Sequence, residues 1–249
     1  LKKDQDNCSL CQGRGIVIID SDTARPCKCM LHRSIRLKFR HSRMSKEMQD
    51  YNFSRFSSRY YSKNHRDSIN GRTYYDNAAA AFAAAQKFTR DIRDNIVPDG
   101  ILLTGPVGGG KTFLACAIAN ALLDSGKEVL FVVVPDLLDQ IRATFDRSYE
   151  YTEQDLMDTA RKVEVLVLDD MGAHNYTDWT ANKIYSILNY RMNNRLPTII
   201  TTNLDLAELE EHLGERTTSR IIQMCKVYRL LVETDIRIVR RHEKEGNTK

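Results

Sequence analysis

No stretch of this 249-residue chain approaches the ~18 consecutive apolar residues of a membrane span, the longest apolar run being Ala78 to Ala85. A transmembrane helix is thereby excluded, and no membrane partner is expected. No basic start with a short apolar core opens the sequence as a signal peptide would, so a cytoplasmic protein is expected. Internal repeats are absent, and only the alanine-rich stretch is compositionally simple. Cysteine is scarce beyond residue 30: only Cys116 and Cys225 lie there, both in apolar, helix-like contexts that suit plain core residues.

What is present is a phosphate-binding loop. Gly105-Pro106-Val107-Gly108-Gly109-Gly110-Lys111-Thr112 satisfies GxxxxGK[ST], follows the apolar run Ile101-Leu102-Leu103 and leads into the helix-like Phe113 to Ile118. Glycines let backbone N–H groups approach β- and γ-phosphates, and the helix that follows turns its positive end toward them. Lys111 neutralises phosphate charge, and the Thr112 hydroxyl reaches Mg²⁺. The cofactor-binding set therefore runs from Gly105 to Phe113, with ATP and Mg²⁺ as the expected ligands.

A second element of the same site is expected where Val163 to Leu168 forms a buried strand ending in Asp169-Asp170. Asp169 is placed to hold the Mg²⁺ shell together with Thr112, and Asp170 to polarise an attacking water.

Four cysteines fall in the first thirty residues, as Cys8-x-x-Cys11 and Cys27-x-Cys29, around a β-prone run Ile16 to Ile19. Four thiolates on two knuckles can surround one structural Zn²⁺. A segment of about 30 residues needs such a staple because it cannot build a core. Two disulfides or an iron–sulfur cluster could use the same spacing, and His32 could replace one cysteine.

Charge divides the chain. Residues 1–75 carry 16 Lys and Arg against 7 Asp and Glu, a net +9, while residues 76–249 carry 21 against 26, a net −5. A basic front on an acidic body suits a nucleic-acid or acidic-protein contact, or a solvated arm. Within 33–75, Phe53, Phe56, Tyr60 and Tyr61 alternate with Arg55, Arg59 and Lys63. Such aromatics can stack on bases, pack on the body or flank an adenine.

From residue 76 the pattern becomes regular. A helix capped by Asp76 or Asn77 is predicted to run to about Ile96, and Pro98-Asp99-Gly100 stops it. Strands are predicted at 101–103, 129–134, 163–168, 198–202 and 228–232. Helices are predicted from Pro135 to Phe145, with Leu137, Leu138, Ile141 and Phe145 on one face, and from Trp179 to Asn194. Strand and helix alternation implies an α/β domain with a parallel five-stranded sheet flanked by helices. The expected organisation is a Cys-rich zinc-binding segment over 1–32, a basic, aromatic linker over 33–75 and an ATPase domain over 76–249.

The phosphate loop, Leu168-Asp169-Asp170-Met171-Gly172-Ala173, the run Leu196 to Leu204 and the run Gly214 to Ile221 together resemble a AAA+ ATPase of the DnaC/DnaI helicase-loader family, which also embraces IstB-type transposition helpers. The resemblance covers about residues 50–240. It implies that Asn203 is a polar sensor orienting water at the γ-phosphate, that Arg220 is an arginine finger given in trans to a neighbouring subunit's ATP, and that Arg237 is a second sensor. It also implies self-association through Arg220 around single-stranded DNA, a hexameric replicative DNA helicase as partner, and a helicase contact through the Cys-rich front. The helix 135–145, with Arg142 and Arg147 nearby, is expected toward the DNA channel.

The leading expectation is an ATP-switched loader with slow, Mg-dependent hydrolysis. Alternatives are an IstB-like helper of a transposase and a nonhydrolysing nucleotide-gated adaptor. An initiator of the DnaA kind is disfavoured because residues 240–245 read as a charged tail rather than the start of a helix-turn-helix.

Overall fold

The computed structural model describes residues 8, 10–12, 14–20, 23–27, 29–30, 44–145, 151–172 and 176–246. His32, Arg147, Ala173 and the stretch 33–43 lie outside them.

A five-stranded, all-parallel sheet organises the body. It is built from β3 (Gly100–Thr104), β4 (Val129–Val133), β5 (Val165–Met171), β6 (Thr198–Thr202) and β7 (Cys225–Arg229), in the spatial order β4-β5-β6-β3-β7. The inner strands β3, β5 and β6 are almost wholly buried and made mainly of apolar and threonine residues, because both faces are covered, whereas the edge strand β7 carries Lys226 and Arg229 and is partly exposed. Side chains alternate between the faces. Ile101, Leu103, Val165, Val167 and Ile199 enter one core, while Leu102, Leu166, Leu168 and Ile200 enter the other.

On the first face lie α2 (Tyr74–Arg93) and α3 (Lys111–Asp124). The alanines of α2 that look compositionally simple serve this contact: Ala78, Ala81 and Ala85 are fully buried, as are Ala115, Cys116 and Ala119 of α3. Small side chains on both helices allow a close approach. On the second face lie α4 (Val134–Ala143), α5 (Glu153–Lys162), α6 (Asp178–Asn193), α7 (Leu206–Leu213) and α8 (Glu215–Met224). Each leucine or isoleucine fully buried here contributes about 1.5–3 kcal/mol, enough to seat short helices that would not persist alone.

The segment 44–75 packs on this body. It contains α1 (Lys46–Gln49) and two single 3₁₀ turns, Phe53–Arg55 and Ser58–Tyr60. Asn120 of α3 donates to the carbonyls of Met48 and Tyr51, each at 2.9 Å. Phe56 stacks on Phe82 of α2 at 4.8 Å between centroids, and Tyr51 lies 4.5 Å from Phe113. The buried Asp67 pairs with Arg229 at the end of β7. Of the three roles open to the aromatic residues, packing on the body is the one these contacts display.

The front end is a small antiparallel hairpin, β1 (Ile16–Ile18) with β2 (Ala24–Pro26), as the β-prone run suggested. The last element among the described residues is α9 (Ile236–Gly246). Among the described residues no helix is long and apolar enough to cross a membrane.

Several boundaries differ from expectation. Helix α2 starts earlier, because Thr73 caps it by accepting the Asp76 amide at 3.0 Å, and it ends at Arg93. The strand predicted at 163–168 is shifted to Val165–Met171, so Asp169 and Asp170 lie within it. The last strand is Cys225–Arg229 rather than 228–232, starting directly after α8, so Cys225 is a strand residue. Helix α4 ends at Ala143, and Phe145 is 63% exposed rather than on the buried face. The charged tail is helical, since α9 gathers its apolar residues on one side.

Candidate nucleotide site and cysteine cluster

The phosphate loop joins β3 to α3 at the carboxyl edge of the sheet, where open α/β sheets place their ligands. Gly110 caps α3 in a left-handed conformation, φ +88°, and a Cβ there would stand 2.8 Å from the Tyr61 hydroxyl. Glycine is required on both counts. Tyr61, itself buried, donates to the Gly109 carbonyl at 2.9 Å and so ties segment 44–75 to the loop. Lys111 is 6% exposed and donates to the carbonyls of Gly105 and Pro106, both at 2.7 Å. Burial pulls its ammonium down to about 8, against the opposing pull of Asp170 and Asp169.

Asp169 lies opposite. Its carboxylate accepts the Thr112 hydroxyl at 2.9 Å and the Thr201 hydroxyl at 2.6 Å. Burial raises its pKa, while the hydrogen bonds from Thr201 and Thr112 resist that rise. No ion pair reaches it among the described residues. A buried carboxylate with a threonine hydroxyl beside it offers the hard oxygen ligands that Mg²⁺ takes, and a dication would relieve the burial cost, so the residues fit the metal.

Asp170 adopts φ +58°, a left-handed conformation uncommon outside glycine. Pairing of β5 with β6 is irregular between Leu168 and Met171, and the Asp170 amide donates to the Thr201 hydroxyl at 3.0 Å instead. A bulge at a strand end re-aims a side chain. Here Asp170 turns toward Asn203, whose amide donates to it at 3.3 Å.

These groups open into one cavity of about 650 Å³. Gly108, Gly110, Lys111, Thr112, Phe113, Asp169, Asp170, Asn203 and Arg237 all line it, with Val107 at its margin. Tyr51, Phe56, Tyr60 and Tyr61 form an aromatic wall, and Ile236 and Arg240 of α9 close another side. Triphosphate-binding and aromatic walls thus share a space sized for a nucleotide. Arg220 is not part of it: on α8 its guanidinium donates to Asn189 of α6 at 3.2 Å and to Gln223 at 3.4 Å.

Sequence reasoning missed Thr201 and Asp235, and it left Tyr61 among aromatic residues with three open roles. Thr201 had a signal, since threonines at 198, 201 and 202 in a fully buried strand need partners. The contact of Tyr61 with Gly109 and that of Asp235 with Gly108 had none, because both bridge long sequence separations.

The four front cysteines converge. Their sulfurs all lie within 4.8 Å of one another, with Cys8 and Cys27 3.6 Å apart and Cys11 and Cys29 3.5 Å apart. All are free thiols rather than disulfides. A tetrahedral Zn–S bond of about 2.3 Å implies sulfurs about 3.8 Å apart, close to these values, so the cluster could hold a metal. Burial and the neighbouring thiols push the Cys29 thiol up, a cost that a bound dication reverses.

Residues 73–238 match the family model of IstB-like ATP binding proteins. A replicative helicase loader, DnaC, of Buchnera aphidicola subsp. Schizaphis graminum is 29% identical over 152 residues, 61% of this chain and 61% of that protein. The chain thus spans under two thirds of that relative. The crystal structure of DnaI superposes with a TM-score of 0.60 at 27% identity, covering 78% of this chain and 94% of that one. The crystal structure of the DnaC helicase loader gives 0.58 at 26% identity, covering 76% and 100%.

Proposed function

We propose a function for a chain that belongs to the IstB-like ATP binding protein family: it is an ATP-switched loader that places a replicative hexameric helicase on single-stranded DNA. One observation carries this reading. The phosphate loop, Asp169, Asp170 and Asn203 converge on one cavity, while Arg220 lies outside it on α8, bonded to Asn189 of α6. A second protomer supplies the arginine in this reading.

In this reading Lys111 and the loop amides bind the β- and γ-phosphates. Thr112 and Asp169 would hold Mg²⁺, which supplies charge neutralisation at the phosphates. Asp170, aimed by its left-handed backbone, accepts the proton of an attacking water that Asn203 helps to orient. Arg237 lies on the cavity wall and is suited to sense the triphosphate. Arg220 of one protomer stabilises charge on the phosphoryl group held by the next. Head-to-tail contacts of this kind build rings or open helices, which fits assembly along a strand.

Single-stranded DNA finds a suitable surface beside α4. Exposed Phe145 meets Trp179 at 5.7 Å, with Arg142 and Lys183 over the indole ring at 5.9 and 5.3 Å. Aromatic faces among cations stack unpaired bases. The cysteine cluster, loaded with Zn²⁺, would stiffen a front end that meets the helicase.

A second reading takes its lead from the name of the family model, IstB-like ATP binding protein: an IstB-like helper acting with a transposase. ATP-dependent binding to single-stranded and duplex DNA, with and without a replicative helicase, separates the two. A loader assembles on single strands and raises helicase loading. Preference for duplex with no effect on helicase would sink the loader. ATP binding without turnover in such assemblies would identify a nucleotide-gated adaptor.

A further inference from the structure

Asp235 packs against the phosphate loop at the edge of the nucleotide cavity. Gly108 of the phosphate loop has φ +73°, and a Cβ added there would stand only 2.0 Å from the Asp235 carboxyl carbon. The carboxylate therefore packs directly on the loop. It is held there from two sides. The Ile236 amide donates to the Gly108 carbonyl at 3.2 Å, and the start of α9 is anchored by Asp235, whose carboxylate accepts the Arg237 amide at 2.8 Å.

The same carboxylate occupies Arg237. The guanidinium donates to Asp235 Oδ1 at 3.1 Å and to Oδ2 at 2.7 Å, a two-pronged pair. Arg237 side-chain atoms are 70% exposed and those of Asp235 only 20%, so the arginine is drawn back onto a fixed acid rather than the reverse. The pairing with Arg237, helped by the charge of Lys111, holds the Asp235 carboxyl below its ordinary range. Two cations of the phosphate site thus already feel one internal anion.

We propose that the Asp235–Arg237 pair is an intramolecular gate on this site, with Asp235 standing in for phosphate and holding Arg237 until a polyphosphate displaces it. The inference rests on the nucleotide-site reading above and adds its regulation. Binding must break the pair, so the gate lowers affinity for nucleotide and couples occupancy to a movement of α9, which carries Arg237 and Arg240 on the cavity wall. Discrimination follows from charge: a ligand with more phosphates competes better with one carboxylate than a monophosphate does.

The test uses the full chain and competition of ATP, ADP and AMP against a fluorescent ATP analogue. Asp235→Asn removes the charge and keeps a side chain that caps helices equally well, and Asp235→Ser is a second capping variant. Both are expected to bind ATP about tenfold tighter, with a smaller gain for AMP, and the gain should vanish in an Arg237→Ala background. Unchanged or weaker ATP binding in both variants overturns the gate, as does a gain that persists without Arg237. A folded parent chain that binds none of the three nucleotides overturns the site reading and the gate with it. A parent that binds ATP and ignores Asp235→Asn removes the gate alone.

Discussion

Thr201 links the two acids of the site: its hydroxyl donates to Asp169 at 2.6 Å and accepts the Asp170 amide at 3.0 Å. One side chain in the fully buried β6 thereby orients the carboxylate suited to Mg²⁺ and satisfies the amide freed by the left-handed Asp170 backbone. Thr201→Val keeps shape and removes both bonds. We expect about tenfold weaker Mg-dependent ATP binding and a loss of about 1–3 kcal/mol of stability, read by nucleotide titration with and without Mg²⁺ and by denaturant unfolding. Unaltered Mg²⁺ dependence would show that Thr201 only packs.

Lys111 should impose a pH profile on nucleotide binding. Its ammonium titrates near 8 in the folded chain, and phosphates bind the protonated form. Below pH 8 the charge is already present, so affinity is flat. Above it a proton must be taken up on binding, and affinity falls by up to tenfold per pH unit until the complex itself titrates. Isothermal titration from pH 6.5 to 9.5 in buffers of differing ionisation heat reads both the fall and the proton uptake. In Lys111→Ala, ATP binding should be lost.

The front cysteines should bind about one zinc per chain. Metal analysis of purified protein, with and without the double substitution Cys8→Ser and Cys11→Ser, tests this. The zinc should disappear in the variant while nucleotide binding persists. A full complement of free thiols without metal in the parent would falsify the site.

Arg220→Ala should bind ATP nearly normally yet lose turnover by ~10³ or more. Mixed with Lys111→Ala, it should regain part of the activity, because an intact loop on one protomer can meet an intact arginine on the next. Co-assembly without any recovery, or full turnover by Arg220→Ala alone, would make Arg220 an ordinary surface residue.

Arg191 is fully buried and donates to the carbonyls of Ala160, Val163 and Pro197 at 3.2, 2.8 and 2.6 Å, and to the Thr198 hydroxyl at 2.9 Å. It joins the end of α5 to the entries of β5 and β6. Arg191→Met keeps the stem and strands those acceptors, so we expect a loss of about 3–5 kcal/mol and a melting temperature lower by roughly 10 °C, with nucleotide affinity in the surviving folded protein unchanged.

The phosphate loop, the acid pair and the cysteine knuckles were legible in the sequence because each is a local motif. Backbone geometry over a few residues, or metal-ligand spacing, demands those residue types in that order. The parallel sheet was legible too, since a strand covered on both faces is an unbroken apolar run, as 165–168 is, while 198–202 was legible as a β-branched run of threonine and isoleucine. Element ends were less so. Thr73 rather than Asp76 caps α2, and the last strand starts at Cys225, because side-chain caps and the packing of α8 set those limits. The tertiary structure alone decided how distant pieces meet. Tyr61 reaches Gly109, Asn120 grips the end of α1, and Asp235 presses on Gly108, over separations of 48 to 127 residues. Such contacts leave no periodicity and no spacing in a chain, since their energy comes from burial and charge placed together only when the sheet, the front segment and α9 close around the same cavity.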